Sequence, residues 1–333
     1  MINHRITLKA RPATIPGPEH FDADEQPIPP LEPGQMLVET MVISIDPAMR
    51  SWIAGTSGYA KSVPIGAVMR AGGIARVLDS RAEGFAPGDI VQGRTGWQSH
   101  PVLLGSQTQT LDLSIGTVAD WMGPLGTSAL TAYFGLRDIA ALKPGDRLLV
   151  SAAAGGVGQI AAQIGLAEAC RVVGIAGGPE KCAYLRDTLG LHGVIDHKAE
   201  PDLTAAIRRE CPDGIDVYFD NVGGPTLDAA LANLRMDARI AICGRISDTV
   251  AAEPYGIRNL GLIGGKRVTI RNFLVFDYHD RYAEARAWLT ARLREGTLRQ
   301  RIHIVEGLAN APHALGMLFR GENTGKLVVK LTD

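Results

Sequence analysis

The feature that most restricts the fold is the run RLLVSAAAGGVGQIAAQIGLAEACRVVGIAGGPEK, residues 147–181. An apolar stretch enters a cluster of small residues, continues as a segment of helical pattern, and is followed by a second apolar stretch. Within it, AAGGVG (153–158) matches the spacing G-x-G-x-x-G, with Ala153 in the first place and Gly155 and Gly158 in the others. Glycine at 155 lets the backbone approach a pyrophosphate. Glycine at 158 lets helix and strand pack closely, and the helix N-terminus favours negative charge. Small residues also mark strand–helix turns that bind nothing. Strand, helix and second strand in register favour a dinucleotide site.

An NAD site places a carboxylate at the end of the second strand, about 20 residues beyond the glycines, to hold the adenosine ribose. This chain has Ala176, Gly177 and Gly178 there, followed by Pro179, Glu180 and Lys181. Without the carboxylate nothing repels an additional phosphate, and Lys181 supplies positive charge to it, unless it is only a solvated surface lysine. Glu180 is expected to open the next helix and point away. The expected cofactor is NADP(H).

The surrounding rhythm divides the chain. Residues 1–120 are rich in glycine, proline and β-branched residues, with short strands expected at MLVETMVIS (36–44), AGGIARVL (71–78) and GDIVQGR (88–94) and no long helix. From 121 to 299, apolar strands alternate with helical segments, the pattern of a doubly wound parallel sheet covered on both faces. RYAEARAWLTARLREG has apolar residues at Tyr282, Ala285, Leu289 and Leu293, and is expected to pack on that sheet. The closing GKLVVKL (325–331) reads as a strand returning to the first domain, which residues 300–333 would then complete.

A net charge of −1 gives no electrostatic footprint for nucleic acid or an anionic membrane. The most membrane-like window, 148–170, is broken by glycines, glutamines and a glutamate. MINHRITLKARP carries no secretory apolar run, so a cytoplasmic protein is expected. Cys170, Cys182, Cys211 and Cys243 form no C-x-x-C pair, and residues 1–120 hold no cysteine, with His4, His20 and His100 standing apart. Neither disulfides nor a metal site are expected. A nicotinamide oxidoreductase without a metal to polarise an alcohol oxygen suits an electrophile already activated by conjugation.

DPAMR (46–50), FAPGDIVQGRTGW (85–97), LTAYFGL (130–136), KPGDRLLVSAAAGGVGQ (143–159), DVYFDNVGG (216–224), NFLVFDY (272–278) and FRGENTGKLVVKL (319–331) carry a resemblance over nearly the whole chain. It resembles the zinc-free medium-chain dehydrogenase/reductases, nearest the leukotriene B4 dehydrogenase/prostaglandin reductase and 2-alkenal reductase branch. The resemblance implies a GroES-like β-rich domain beside a Rossmann domain, and NADPH-dependent reduction of the C=C bond of α,β-unsaturated ketones and aldehydes. Hydride goes to the β-carbon and a proton to the α-carbon. It also implies a homodimer paired through the cofactor domains, with 267–276 at the edge.

By motif position, the resemblance puts Gly155, Gly156, Val157 and Gly158 at the pyrophosphate, with Lys181 on the 2′-phosphate near Gly177. His197 of VIDHK stands where the family usually has tyrosine beside the adenosine ribose. Asn221 falls near the nicotinamide ribose, or is a turn residue before Gly223. Thr131 falls beside the carboxamide, and Gly244 and Asn323 along the cofactor. On the substrate side it implies Tyr59 as a donor to the developing enolate oxygen, or a plain surface tyrosine, with Arg50 retained. Ala48 and Thr249 replace family tyrosines, and Tyr255 is the nearby substitute. A quinone reductase and a non-catalytic NADPH-binding protein are the alternatives.

Overall fold

A computed structural model describes the chain except for Thr56, Ser57, Tyr59, Ala252, Pro254 and Asp333. It divides into two units: Met1–Met122 with Ile302–Asn323 and Leu327–Asp333, and Gly123–Arg301 with Thr324–Lys326.

In the first unit β1 (Ile2–Leu8) and β2 (Phe21–Pro27) form an antiparallel ribbon. The main sheet uses β3 (Gln35–Ser44), β4 (Gly73–Ser80), β5 (Ile90–Gly93), β6 (Val102–Leu104), β7 (Gln109–Thr110), β14 (Ile302–Glu306) and β15 (Lys326–Lys330). Its order is β14-β15-β3-β4-β5-β7, with β6 also on β3. Two register shifts between β3 and β4 bend the sheet, as bulges do. The closing strand β15 pairs antiparallel with β3, Val329 opposite Ile43. Helices α1 (Ala48–Ala54), α2 (Val118–Met122) and α10 (Ala311–Arg320) belong to this unit. α1 buries Met49 and Ile53 against a core that includes Trp97, Leu315 and Val329.

The second unit contains β8 (Arg147–Val150), β9 (Arg171–Ala176), β10 (Gly193–Asp196), β11 (Ile215–Asp220), β12 (Leu234–Ile242) and β13 (Thr269–Asn272). Every pair is parallel, in the order β10-β9-β8-β11-β12-β13. Counted within the unit this is 3-2-1-4-5-6, which reverses direction between β8 and β11. The helices are α3 (Thr127–Phe134), α4 (Gly158–Ala167), α5 (Pro179–Ala183), α6 (Leu203–Glu210), α7 (Gly224–Ala232), α8 (Leu262–Lys266) and α9 (Tyr282–Arg294). Gly165 lets α4 lie close on the sheet, because a Cβ there would stand 2.5 Å from a Leu148 methyl. No helix among the described residues is long and apolar enough to cross a membrane.

One packing expectation is corrected. α9 buries Ala285 and Leu289, but its principal neighbour is α3 rather than the sheet. Aromatic contacts set that choice: Tyr133 lies 5.9 Å from Trp288, and the Tyr133 hydroxyl donates to Glu284 at 3.0 Å.

Candidate functional site

The turn after β8 sits at the point where the sheet reverses. Ser151 is fully buried there and joins the two central strands. Its hydroxyl donates to Asp220 Oδ1 at 3.1 Å and accepts the Asn221 N–H at 2.9 Å. The Asn221 side-chain amide donates to the Ser151 carbonyl at 2.7 Å. Asn221 thus staples the β8 and β11 loops together. Gly244 completes this end of the sheet, its N–H donating to the Asp220 carbonyl at 3.1 Å.

Asp220 has no exposed surface, and its Oδ1 also accepts from the Tyr218 hydroxyl at 2.7 Å and from the Val222 and Gly223 N–H groups at 3.0 Å each. Its Oδ2 is buried and has no hydrogen-bond partner among the described residues. Burial raises the carboxyl pKa above its ordinary value, and the four donors only partly counter that. Sequence reasoning passed over Ser151 and Asp220 as strand residues. The polar pair at the ends of two apolar strands was the available signal.

Across the turn the glycines have distinct geometric duties. A Cβ on Gly158 would stand 2.2 Å from the Ala152 carbonyl oxygen and 2.8 Å from Ala153 Cα, so α4 starts directly against the turn. At Gly155 the corresponding approach to the same oxygen is 3.1 Å. Gly156 faces the Lys326 stem, with Cδ at 3.0 Å. Lys326, read from sequence only as a strand residue, is buried against the loop. Val157 is the N-cap of α4, and the Gln159 and Ile160 N–H groups in the first turn donate to the Gly155 and Val157 carbonyls at 3.1 Å each. Gln159 and Gln163 latch the 299–301 segment onto α4: Gln159 Oε1 accepts the Arg301 N–H at 2.9 Å, and Gln163 Oε1 the Arg299 N–H at 2.8 Å.

At the end of β9 the missing carboxylate is replaced by a basic cluster. Ala176 pairs with Asp196 of β10, so the next residues on each strand, Gly177 and His197, come together. A Cβ on Gly177 would lie 2.6 Å from His197 Nε2 and 3.1 Å from Lys198 Cε. Lys181 is near enough to both for their charges to interact. Burial and then Lys198 hold its ammonium below the usual lysine range, opposed by Glu180. Glu180 pairs with Arg301 at 2.9 Å. Asp196 Oδ1 accepts the Gly178 and Lys198 N–H groups at 2.9 and 3.0 Å, fixing both loops and lowering its own pKa. Lys198 was not singled out from the sequence, because only the parallel register of β9 and β10 brings it to Gly177.

The remaining candidates are divided between the two units. The Thr131 hydroxyl donates to the Thr127 carbonyl one turn back on α3, at 2.8 Å. Tyr255, in the second unit, donates its hydroxyl to Asp228 Oδ2 at 3.0 Å, while Asp228 Oδ1 accepts the Arg258 and Asn259 N–H groups at 3.0 and 2.7 Å. Its phenol is therefore committed to ordering the 255–259 segment. Arg50, in the first unit, is buried, and its Nε and Nη2 donate to the Thr14 and Ala13 carbonyls at 2.9 and 3.1 Å. Burial lowers its pKa, and the geometry makes it an anchor for that loop. Asn323 is buried in the first unit just beyond α10. Tyr59 lies outside the described residues. Thr249 closes a turn on the Ile246 carbonyl at 2.8 Å.

A parallel 3-2-1-4-5-6 sheet with a glycine turn at its reversal point defines a dinucleotide-binding domain. Residues 4–111 match the family described as N-terminal domain of oxidoreductase, and residues 156–291 the one described as Zinc-binding dehydrogenase. The chain is 37% identical over 335 residues to the NADPH-dependent curcumin reductase of Escherichia coli, covering 99% of this chain and 97% of the other. It is 37% identical over 300 residues to the NADP(+)-dependent 2-alkenal reductase of Nicotiana tabacum, covering 89% and 87%. The crystal structure of CurA from Vibrio vulnificus in complex with NADPH superimposes with a TM-score of 0.94 at 38% identity, covering 99% of both chains. The chain belongs to the medium-chain dehydrogenase/reductases, in their prostaglandin, curcumin and 2-alkenal reductase branch. Among the described residues no group of three His, Cys, Asp or Glu side chains converges as a metal set, so the zinc in that family description has no donors there.

Proposed function

We propose that the protein is an NADPH-dependent reductase of the C=C bond of α,β-unsaturated ketones and aldehydes. The observation that carries the cofactor half is the end of β9, where Gly177 faces His197 and the Lys198 stem instead of a ribose-binding carboxylate, with the Lys181 charge acting on the same imidazole. The reaction half is supported by membership of a branch whose named members reduce curcumin, 2-alkenals and prostaglandins. In this reading Gly155, Gly156, Val157 and the start of α4 hold the pyrophosphate, and Lys181 holds the 2′-phosphate. Bound NADPH supplies a hydride, directed to the β-carbon of the alkene. The chain's part is to stabilise the charge that gathers on the carbonyl oxygen, a task assigned on sequence grounds to the Tyr59 hydroxyl. The α-carbon then takes a proton.

The test is a panel of enones, enals, nitroalkenes and quinones, followed by loss of NADPH absorbance with the purified protein. Enones or enals should be turned over with saturated carbonyl products. Turnover of quinones alone, or of nothing in the panel, refutes the reading. A second copy of this chain is the proposed partner of β13, an edge strand whose four residues are all exposed. A monomer in sedimentation at high concentration would exclude it.

A further inference from the structure

The basic cluster at Gly177 contains one side chain that changes charge close to neutrality. His197 follows β10 directly, and its ring lies against the backbone of Gly177, with the Lys198 stem alongside. The charged groups that act on it are Asp196 and Lys198 from its own segment and Lys181 from α5. Asp196 is engaged by two backbone N–H groups, and Glu180, the other acid nearby, is turned to Arg301. The imidazole therefore stands between the Asp196 carboxylate, which favours its charged form, and two ammonium groups, which oppose it. Burial, together with these lysines, holds the imidazole below its usual pKa, against the pull of Asp196.

We propose that His197 is a specificity-determining residue for the phosphorylated cofactor, its protonated imidazole adding a third cation to Lys181 and Lys198 around the 2′-phosphate. The proposal rests on the NADP(H) reading above and adds to it a pH dependence. A phosphate dianion beside the ring offsets both the burial and the lysine repulsion that disfavour the charged imidazole, so binding raises the imidazole pKa and draws in a proton. Preference for a 2′-phosphate over a 2′-hydroxyl then strengthens as pH falls through the histidine range. The phosphate itself titrates near pH 6 and works in the opposite direction. A variant that keeps a planar donor without a charge change in this range isolates the histidine: His197→Tyr, with a phenol pKa of about 10.

The experiment is calorimetric titration of the full chain with NADP+ and with NAD+, from about pH 5.5 to about pH 8.5. The affinity ratio of NADP+ to NAD+ should rise about tenfold more toward low pH in the parent than in His197→Tyr. Repeating the NADP+ titration near neutrality in buffers of different ionisation enthalpy should show that the parent takes up more protons than the variant. His197→Gln gives the same comparison should the tyrosine variant fold poorly. Parallel pH profiles and equal proton uptake overturn the proposal while leaving the cofactor reading intact. Absence of any NADP+ preference, in parent and variants and at every pH, refutes the cofactor reading itself.

Discussion

Replacing Gly158 by alanine tests whether the turn after β8 is both a packing joint and a cofactor cradle. The added Cβ would meet the Ala152 carbonyl oxygen at 2.2 Å, Ala153 Cα at 2.8 Å and Ala152 C at 2.9 Å, where ordinary contact begins at 3.4 Å. All three are backbone atoms, so no side chain can swing aside. Either α4 moves out by about an ångström or the turn deforms, and overpacking of this kind costs about 1–3 kcal/mol. The absence of any flexible neighbour puts Gly158→Ala at the upper end, about 2–3 kcal/mol. For a unit of this size that lowers the melting temperature by about 4–12 °C. Gly155→Ala meets one atom at 3.1 Å, a shortfall of a few tenths of an ångström, and should cost about 1 kcal/mol or less. Scanning calorimetry of the two variants, with NADP+ titration of each, reads both properties. A Gly158→Ala protein that melts with the parent would refute the close-packed turn. One that is destabilised yet binds NADP+ with parental affinity would refute the cradle.

Two further outcomes are expected. Lys181→Ala should weaken NADP+ by about 1–3 kcal/mol while leaving NAD+ nearly unchanged, since only the former offers the phosphate; equal losses in a binding titration would remove Lys181 from the site. Asp220→Asn should melt within a few degrees of the parent at neutral pH, whereas Asp220→Ala leaves four buried donors without an acceptor and should cost about 3–5 kcal/mol. The sign of the pH dependence follows from the raised pKa of Asp220. The folded state binds this proton more tightly than the unfolded chain, so the residue's contribution to stability is greatest below 3.8 and falls as pH rises through the folded value. Denaturation of Asp220→Asn across that range should show a flatter slope, and an unchanged slope would mean that the parent carboxyl is not perturbed.

Much of the dinucleotide-binding domain was legible because its signals are local. The glycine spacing, the apolar strands and the missing carboxylate after β9 lie on one continuous stretch, and the backbone chemistry of a strand–turn–helix depends on near neighbours. The basic cluster at the end of β9 was only partly legible. Lys181 and His197 were reached from position and resemblance, but Lys198 comes to Gly177 through the pairing of β9 with β10, which no local pattern encodes. Arg50 and Tyr255 show the converse. Each carries a functional group suited to catalysis, yet Arg50 donates through Nε and Nη2 to carbonyls, and Tyr255 to a carboxylate, distant along the chain.

By itself, then, the sequence determined the type of each domain and the phosphate-tolerant end of the second strand, because these follow from periodicity and from which side chains are absent. Tertiary structure alone decided which charges converge on that strand end, which polar groups serve as struts, and that α9 leans on α3. Convergence of that kind depends on strand register and on the burial of competing partners, and both are set only when the whole unit packs.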